Sequence, residues 1–204
     1  MIKLHGFARS NYTNLIHAYL IEKGVEFELV QVSPSQEEDF LAKSPMGKVP
    51  AIETDEGFIS ETLAIVSYIE AAHPDKPLLP ADPFSRAKTV ELICHIKLDV
   101  ELEARRCLPA AFFGATASEE KQKSTQKAVA KGLKAANRLI VCDPYATGSE
   151  FNLADLYVYY SFGLAGGISQ ALWQTDILSE YPNIQGLMAL LSERDSIKQV
   201  AAAT

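Results

Sequence analysis

Between Ile2 and Ile69 the spacing of apolar residues switches between the two-residue period of a strand and the 3.6-residue period of a helix. After Phe84 the strand period does not return. Ile2-Lys3-Leu4-His5-Gly6 alternates as a strand that Gly6 ends. Ser10 or Asn11 then suits the N-cap of a helix carrying Leu15, Ile16, Ala18, Tyr19 and Leu20, and Gly24 suits its left-handed C-terminal residue. Val25 to Val32 alternates again, which predicts a strand–helix–strand unit with a parallel pair and a right-handed crossover.

A turn at Ser33-Pro34 and a short acidic helix through Phe40 and Leu41 lead to the stretch Gly47–Ile65. Val49-Pro50-Ala51-Ile52 is β-rich, with Pro50 tolerated at its start, where no ladder hydrogen bond is needed. Asp55-Glu56-Gly57 has turn chemistry, Phe58-Ile59 continues as a strand, and Leu63, Ile65, Val66 and Ile69 form a helical stripe. The order β-α-β-α-β-β-α is that of a thioredoxin-like α/β domain, a mixed sheet with helices on both faces and one antiparallel pair at its end. In that layout Ser10 shares a cleft with Lys48, Val49, Glu61 and Thr62. A helix N-terminus beside polar residues suits a small anionic or zwitterionic ligand. The place where thioredoxin-type redox proteins carry CxxC reads Ser10-Asn11-Tyr12-Thr13, so disulfide chemistry on a protein cysteine is excluded there.

The proline-rich run 77–83 reads as a linker between an α/β domain at 1–76 and an all-α domain at 84–204. In the second half, Phe84 to about Phe113 predicts one long helix that Pro109 kinks or ends. Ser118 to about Val141 predicts another, its lysines forming a solvated face. Asn152 and Asp155 open an apolar third helix as a capping-box variant, a folding role, and a last pair of short helices begins at Tyr181-Pro182.

The net charge of −7 argues against nucleic acid and anionic membranes as partners, and no apolar run is long enough to span a bilayer. Three scattered cysteines and a start without signal-peptide organisation fit the cytoplasm, with neither a disulfide framework nor a metal site.

Ser10 ahead of Glu22-Lys23-Gly24, the tripeptide Lys48-Val49-Pro50, and Glu61-Thr62 leading into Leu63-Ala64-Ile65 together resemble the cytosolic glutathione S-transferase family, of the serine type found in bacteria. The resemblance runs along nearly the whole chain. It implies that the Ser10 hydroxyl meets the glutathione sulfur, that Val49 pairs with the cysteinyl backbone beside a cis Pro50, and that Glu61 and Thr62 hold the γ-glutamyl end. Thr62 stands where the family usually has Ser, and the hydroxyl survives the exchange. Lys48 resembles a basic residue near the glycyl carboxylate, to which the segment 35–39 adds no second cation. The neighbours Asn11 and Tyr12 are rival sulfur partners, and simple helix capping is the remaining reading of Ser10. A second-substrate pocket between the domains would draw on Tyr12, Arg105, Arg106, Leu108, Phe112 and Phe113, with the two arginines equally suited to surface ion pairs.

The resemblance implies conjugation of glutathione, as co-substrate and without cofactor or metal, to small electrophiles by a homodimer. A glutathione-dependent peroxidase or isomerase, and a non-enzymatic glutathione-binding or regulatory protein, are the alternatives on the same scaffold.

Overall fold

The computed structural model describes residues 1–203, and the chain divides into two compact units. The first comprises Met1–Leu78 together with the chain from Arg194 onward; the second is Leu79–Glu193.

In the first unit, β1 (Ile2–Gly6), α1 (Asn11–Lys23), β2 (Phe27–Gln31), α2 (Glu38–Leu41), β3 (Ala51–Thr54), β4 (Gly57–Ser60) and α3 (Thr62–Ala72) follow one another. The strands form a four-stranded sheet in the order β2-β1-β3-β4. β1 and β2 are parallel, as the crossover through α1 requires. Both pairs involving β3 are antiparallel, so the antiparallel part extends beyond the single terminal pair read from the sequence. The reason lies in the connection. The segment between Gln31 and Ala51 contains a helix of only four residues and starts and finishes at the same end of the sheet, which turns β3 against β1. Leu4, Leu15, Ile16, Tyr19, Leu20, Ile52, Ile65 and Ile69 are fully buried and supply the apolar packing of this unit.

On the sheet, Glu53 accepts from Lys3 Nζ at 2.9 Å and lies 2.9 Å from His5 Nε2, tying β3 to β1. The bonds from Lys3 and then His5 hold the Glu53 carboxyl below its usual range. Within the same unit, the α1 residue Lys23 is buried against Glu70 of α3. Glu70 also accepts from the Tyr19 hydroxyl at 2.7 Å and from the Leu78 amide at 3.1 Å, so one carboxylate anchors both the helix pair and the unit's end.

The final helix, α10 (Asp195–Ala202), is grouped with the first unit, whereas the sequence reading placed all of 84–204 together. Its anchor is Glu22 of α1, which accepts from Arg194 Nε at 2.8 Å, Arg194 Nη2 at 2.7 Å and Ser196 Oγ at 2.5 Å. Burial alone would push the Glu22 carboxyl up. The hydrogen bonds from Arg194 and Ser196, with the charges of Arg194 and Lys76, outweigh it and hold the carboxyl below 4.5. A depressed carboxyl stabilises the fold above its unfolded pKa, and that contribution disappears as pH falls through the folded value. The amides from Arg194 to Ala203 should therefore lose protection, relative to their intrinsic exchange rates, as the pH drops below about 4.5. Glu22→Gln should show fast exchange already at neutral pH; equal protection of α10 in both proteins across that range would remove Glu22 as its anchor.

The named elements of the second unit are all helices. A continuous helical run comprises α4 (Pro83–Cys94), a π-helical segment His95–Glu101, α5 (Leu102–Ala104), a 3-10 turn Arg105–Cys107 and α6 (Leu108–Phe112). The single long helix read from the sequence is thus continuous but changes its winding midway. Pro109 sits at the second residue of α6, inside the first turn, where its missing N–H costs no helical bond. Gly132 of α7 (Glu119–Asn137) faces the wide segment, and a Cβ there would stand 2.1 Å from the Asp99 carbonyl oxygen. Glycine is what lets the two backbones approach. The helix α8 (Leu153–Trp173) runs through the centre with Leu156, Tyr157, Val158 and Ile168 fully buried, and α9 (Pro182–Ser192) follows. Asn152 and Asp155 form the expected capping box at its start.

Candidate active site

Three chain reversals meet at one end of the sheet because the strand register puts them there. His5 pairs with Ala51 and Ala51 with Ser60, so the end of β1, the start of β3 and the end of β4 lie side by side. From them leave the connection to Ser10 and α1, the Lys48-Val49-Pro50 approach to β3, and the Glu61 entry to α3. The N-termini of α1 and α3 are therefore at the same end, and their helix dipoles favour negative charge there.

Ser10 is the N-cap of α1. Its Oγ accepts from the Thr13 amide at 3.2 Å, which occupies a lone pair and leaves the hydroxyl proton available to donate. The turn before it is held by Ser10 N–H to Phe7 carbonyl at 3.0 Å and by Asn14 Nδ2 to Ala8 carbonyl at 2.8 Å. Thr13 packs on the end of β1, where a Cβ at Gly6 would lie 2.4 Å from its Oγ1; Gly6 thus permits the close seating of α1. Asn11 and Tyr12 occupy the first two helical positions and are half-buried.

The second reversal is shaped at Gly47, whose φ is +62°. Its N–H donates to the Ser44 carbonyl at 2.7 Å and its carbonyl accepts from the Ser35 amide at 3.1 Å. A side chain there would run into the Ser35 carbonyl oxygen, 2.1 Å from the Cβ position. Lys48 follows, exposed, then half-buried Val49 and buried Pro50, joined by a cis peptide bond. Among the described residues, the Val49 backbone N–H and carbonyl have no partner in the chain.

The third reversal carries Glu61 at φ +70° and ψ 123°, a left-handed φ that a non-glycine residue adopts at a cost of about 1–3 kcal/mol. Glu61 is exposed, and Thr62 beside it is 2% exposed. Nothing in the sequence around Glu61 marks that backbone. The role of Gly47 in fixing Lys48 and Val49 depends on Ser35, which the local pattern does not bring near.

The fold thus brings Ser10, Asn11, Tyr12, Lys48, Val49, Pro50, Glu61 and Thr62 to one end of the first unit. The other candidates belong to the second unit. Arg105 Nε donates to Glu101 Oε1 at 2.7 Å, and Glu101, wholly buried, also accepts from the Ser161 hydroxyl at 2.5 Å. Arg106 pairs with Glu103 at 2.9 Å and donates to Ser124 at 3.2 Å. Both arginines are thus engaged in ion pairs along their own helical run. Leu108 is half-buried, while Phe112 and Phe113 are 49% and 74% exposed.

No helix among the described residues is long and apolar enough to cross a membrane. Residues 4–77 match the family model of the glutathione S-transferase N-terminal domain, and residues 105–203 that of the glutathione S-transferase C-terminal domain. A glutathione S-transferase of Pseudomonas putida is 38% identical over 202 residues, covering 99% of this chain and 92% of that one. A maleylpyruvate isomerase of a Ralstonia species is 29% identical, with 99% and 97% covered. Among solved structures, glutathione transferase Omega 3C from Trametes versicolor superposes with a TM-score of 0.82 at 25% identity, covering 98% of this chain and 88% of that one. Both halves of the chain and the whole of its fold therefore point the same way: it belongs to the glutathione S-transferase family.

Proposed function

We propose that this protein is a cytoplasmic glutathione transferase that joins the glutathione sulfur to small electrophiles. The observation that carries the reading is the convergence of a Ser10 hydroxyl whose proton is available to donate, an unpaired Val49 backbone and the Glu61-Thr62 helix start at one end of the sheet. The Val49 N–H and carbonyl would receive the cysteinyl unit as an added strand. Glu61 would take the γ-glutamyl ammonium, and Thr62 with the α3 amides its carboxylate. Lys48 would lie near the glycyl carboxylate.

A free thiol with a pKa of about 8.5 is mostly protonated at neutral pH. A hydrogen bond from Ser10 and the α1 dipole favour the thiolate, and the proton leaves to solvent. The thiolate then forms a sulfur–carbon bond while the leaving group departs with its electron pair. Within the second unit, Phe112 and Phe113 are candidate walls for the electrophile, with Leu108 and the arginines as its further neighbours. Glutathione-dependent loss of an activated aryl halide, followed by absorbance, tests the activity; absence of turnover together with no retention on immobilised glutathione would refute it.

The likeness to a maleylpyruvate isomerase favours a second reading on the same site. There the thiolate adds to a cis double bond, the adduct rotates, and elimination returns both the trans product and glutathione. Isomerisation without net consumption of glutathione separates the two.

Binding and chemistry should part company by residue. Glu61→Gln and Thr62→Val should each raise KM for glutathione about 10-fold with kcat little changed, since hydrogen bonds to charged groups are worth about 1.5–3 kcal/mol. Steady-state kinetics with varied glutathione reads this, and an unchanged KM would remove these residues from the γ-glutamyl site.

The proposed assembly is a homodimer. Leu98 and Leu102 are 49% and 53% exposed one turn apart, and Met46 is 63% exposed, apolar surface that a second copy would cover. Leu98→Glu with Leu102→Glu should shift the protein to a monomer in sedimentation velocity; a wild-type monomer would reject the assembly.

A further inference from the structure

The second unit contains a cleft of about 320 Å³ with no connection to the residues assigned above, bounded by α7, the end of α8 and the turn into α9. Val129, Leu133 and Ile177 give it an apolar floor, and Trp173 and Tyr181 supply aromatic walls. Two carboxylates, Asp176 and Glu180, stand on its rim.

The walls are held in place. Trp173 Nε1 donates to Gln122 Oε1 at 3.0 Å, which fixes the indole plane. Asp176 accepts from the Leu178 amide at 2.8 Å and from Gln185 Nε2 at 3.0 Å, so its position is set by the turn itself. Ser169 Oγ donates to the Thr175 carbonyl at 2.9 Å and pins the start of that turn to α8. Glu180 is exposed and has no hydrogen bond or ion pair among the described residues. The lysines of α7 are not among the residues that line the cleft.

We propose that this cleft is a binding site, separate from the glutathione site, for a small organic cation built on one or two flat aromatic rings. The volume is at the lower end of small-molecule pockets, which limits the ligand to that size. The floor takes the ring by burial of apolar surface. A cation stacked on the Trp173 or Tyr181 ring would be attracted by its π system, while Asp176 and Glu180 complement the charge. A neutral ring gains only the first of these terms, and an anion is repelled by both carboxylates. The chain's net charge of −7 acts in the same direction at longer range.

Trp173 is the only tryptophan, so its indole N–H gives a single resonance that reports the cleft directly. Titration of the full-length protein with 1-methylquinolinium should move that resonance saturably, at about tenfold lower concentration than the neutral 2-methylquinoline requires at mildly alkaline pH. Glu180→Gln, a change at an exposed site, should cut that preference to about threefold. Ala130→Phe, which fills the cleft from α7, should abolish the shift. Conjugation activity should survive in both variants, and saturating glutathione should leave the titration unchanged.

Equal affinity for the cation and the neutral ring would overturn the proposal. So would the absence of a saturable shift up to about 10 mM probe, or a shift that persists in a folded Ala130→Phe protein. Displacement of the probe by glutathione would instead assign the binding to the glutathione site and refute a separate one.

Discussion

Replacing Ser10 with alanine should slow glutathione conjugation about 30-fold at neutral pH and move the rising limb of the pH–rate profile up by one to two units. The hydroxyl has two jobs that the substitution removes together. Its oxygen caps α1 through the Thr13 amide, and its proton would stabilise the thiolate. Losing the cap costs about 1 kcal/mol and leaves the fold intact. Losing the donor returns the bound thiol toward the pKa of free glutathione, and each unit is about 1.4 kcal/mol of thiolate stabilisation.

A second variant separates the jobs. Ser10→Asp keeps a good N-cap, so the melting temperature should stay near wild type. It also sets a carboxylate beside the sulfur, so turnover should fall at least as far as in Ser10→Ala. Ser10→Thr, which restores both oxygen and proton, should recover much of the activity. Unchanged turnover and an unchanged pH profile in Ser10→Ala would transfer the sulfur contact to Tyr12 or Asn11, and parallel variants there would identify which.

Asp155→Ala should be the most damaging single change to the second unit, lowering stability by about 3–5 kcal/mol and the melting temperature by roughly 10 °C. Asp155 is wholly buried, and its two oxygens accept from the Ala146 amide at 2.7 Å and the Asn152 amide at 2.8 Å. The first bond ties the preceding loop to α8, and the second completes the capping box with Asn152, whose Oδ1 accepts from Ala154 N–H at 2.9 Å. Alanine strands both donors in the interior, and each unsatisfied buried group costs about 1–3 kcal/mol. Asp155→Asn keeps one acceptor and should fall between the two proteins. A melting temperature unchanged in Asp155→Ala would mean that the loop and helix relax to water without cost. Residual activity scaled to the folded fraction should match wild type, as a wholly buried capping carboxylate predicts.

Local pattern carried the reading far at several points. The caps of α1 and α8 were legible because an N-cap needs only a short polar side chain and the amides that follow it. Gly24 was legible as a helix stop because a left-handed residue there is cheapest without a Cβ. The strands β1 and β2 were legible from alternation, β4 from the turn before it, and the helical second half from the absence of a strand period. Both arginines read as possible ion pairs because acids stand three and four residues before them, the spacing that neighbours on a helix share.

By itself, then, the sequence determined the order of elements, the capping residues, the helical nature of the second half and the family. Those depend on neighbours within a turn or two, where spacing and side-chain chemistry suffice. Only the tertiary structure decided that β3 runs against β1, that α10 joins the first unit, and that the helix after Cys94 widens where Gly132 meets Asp99. It alone decided the left-handed backbone of Glu61 and the register that brings Ser10, Val49 and Thr62 to one end. Each of these is settled by partners distant in the chain, as when Glu22 takes Arg194 from 172 residues away. Such a pairing leaves no period in either segment. Its energy exists only once the sheet and helices have brought the two groups together.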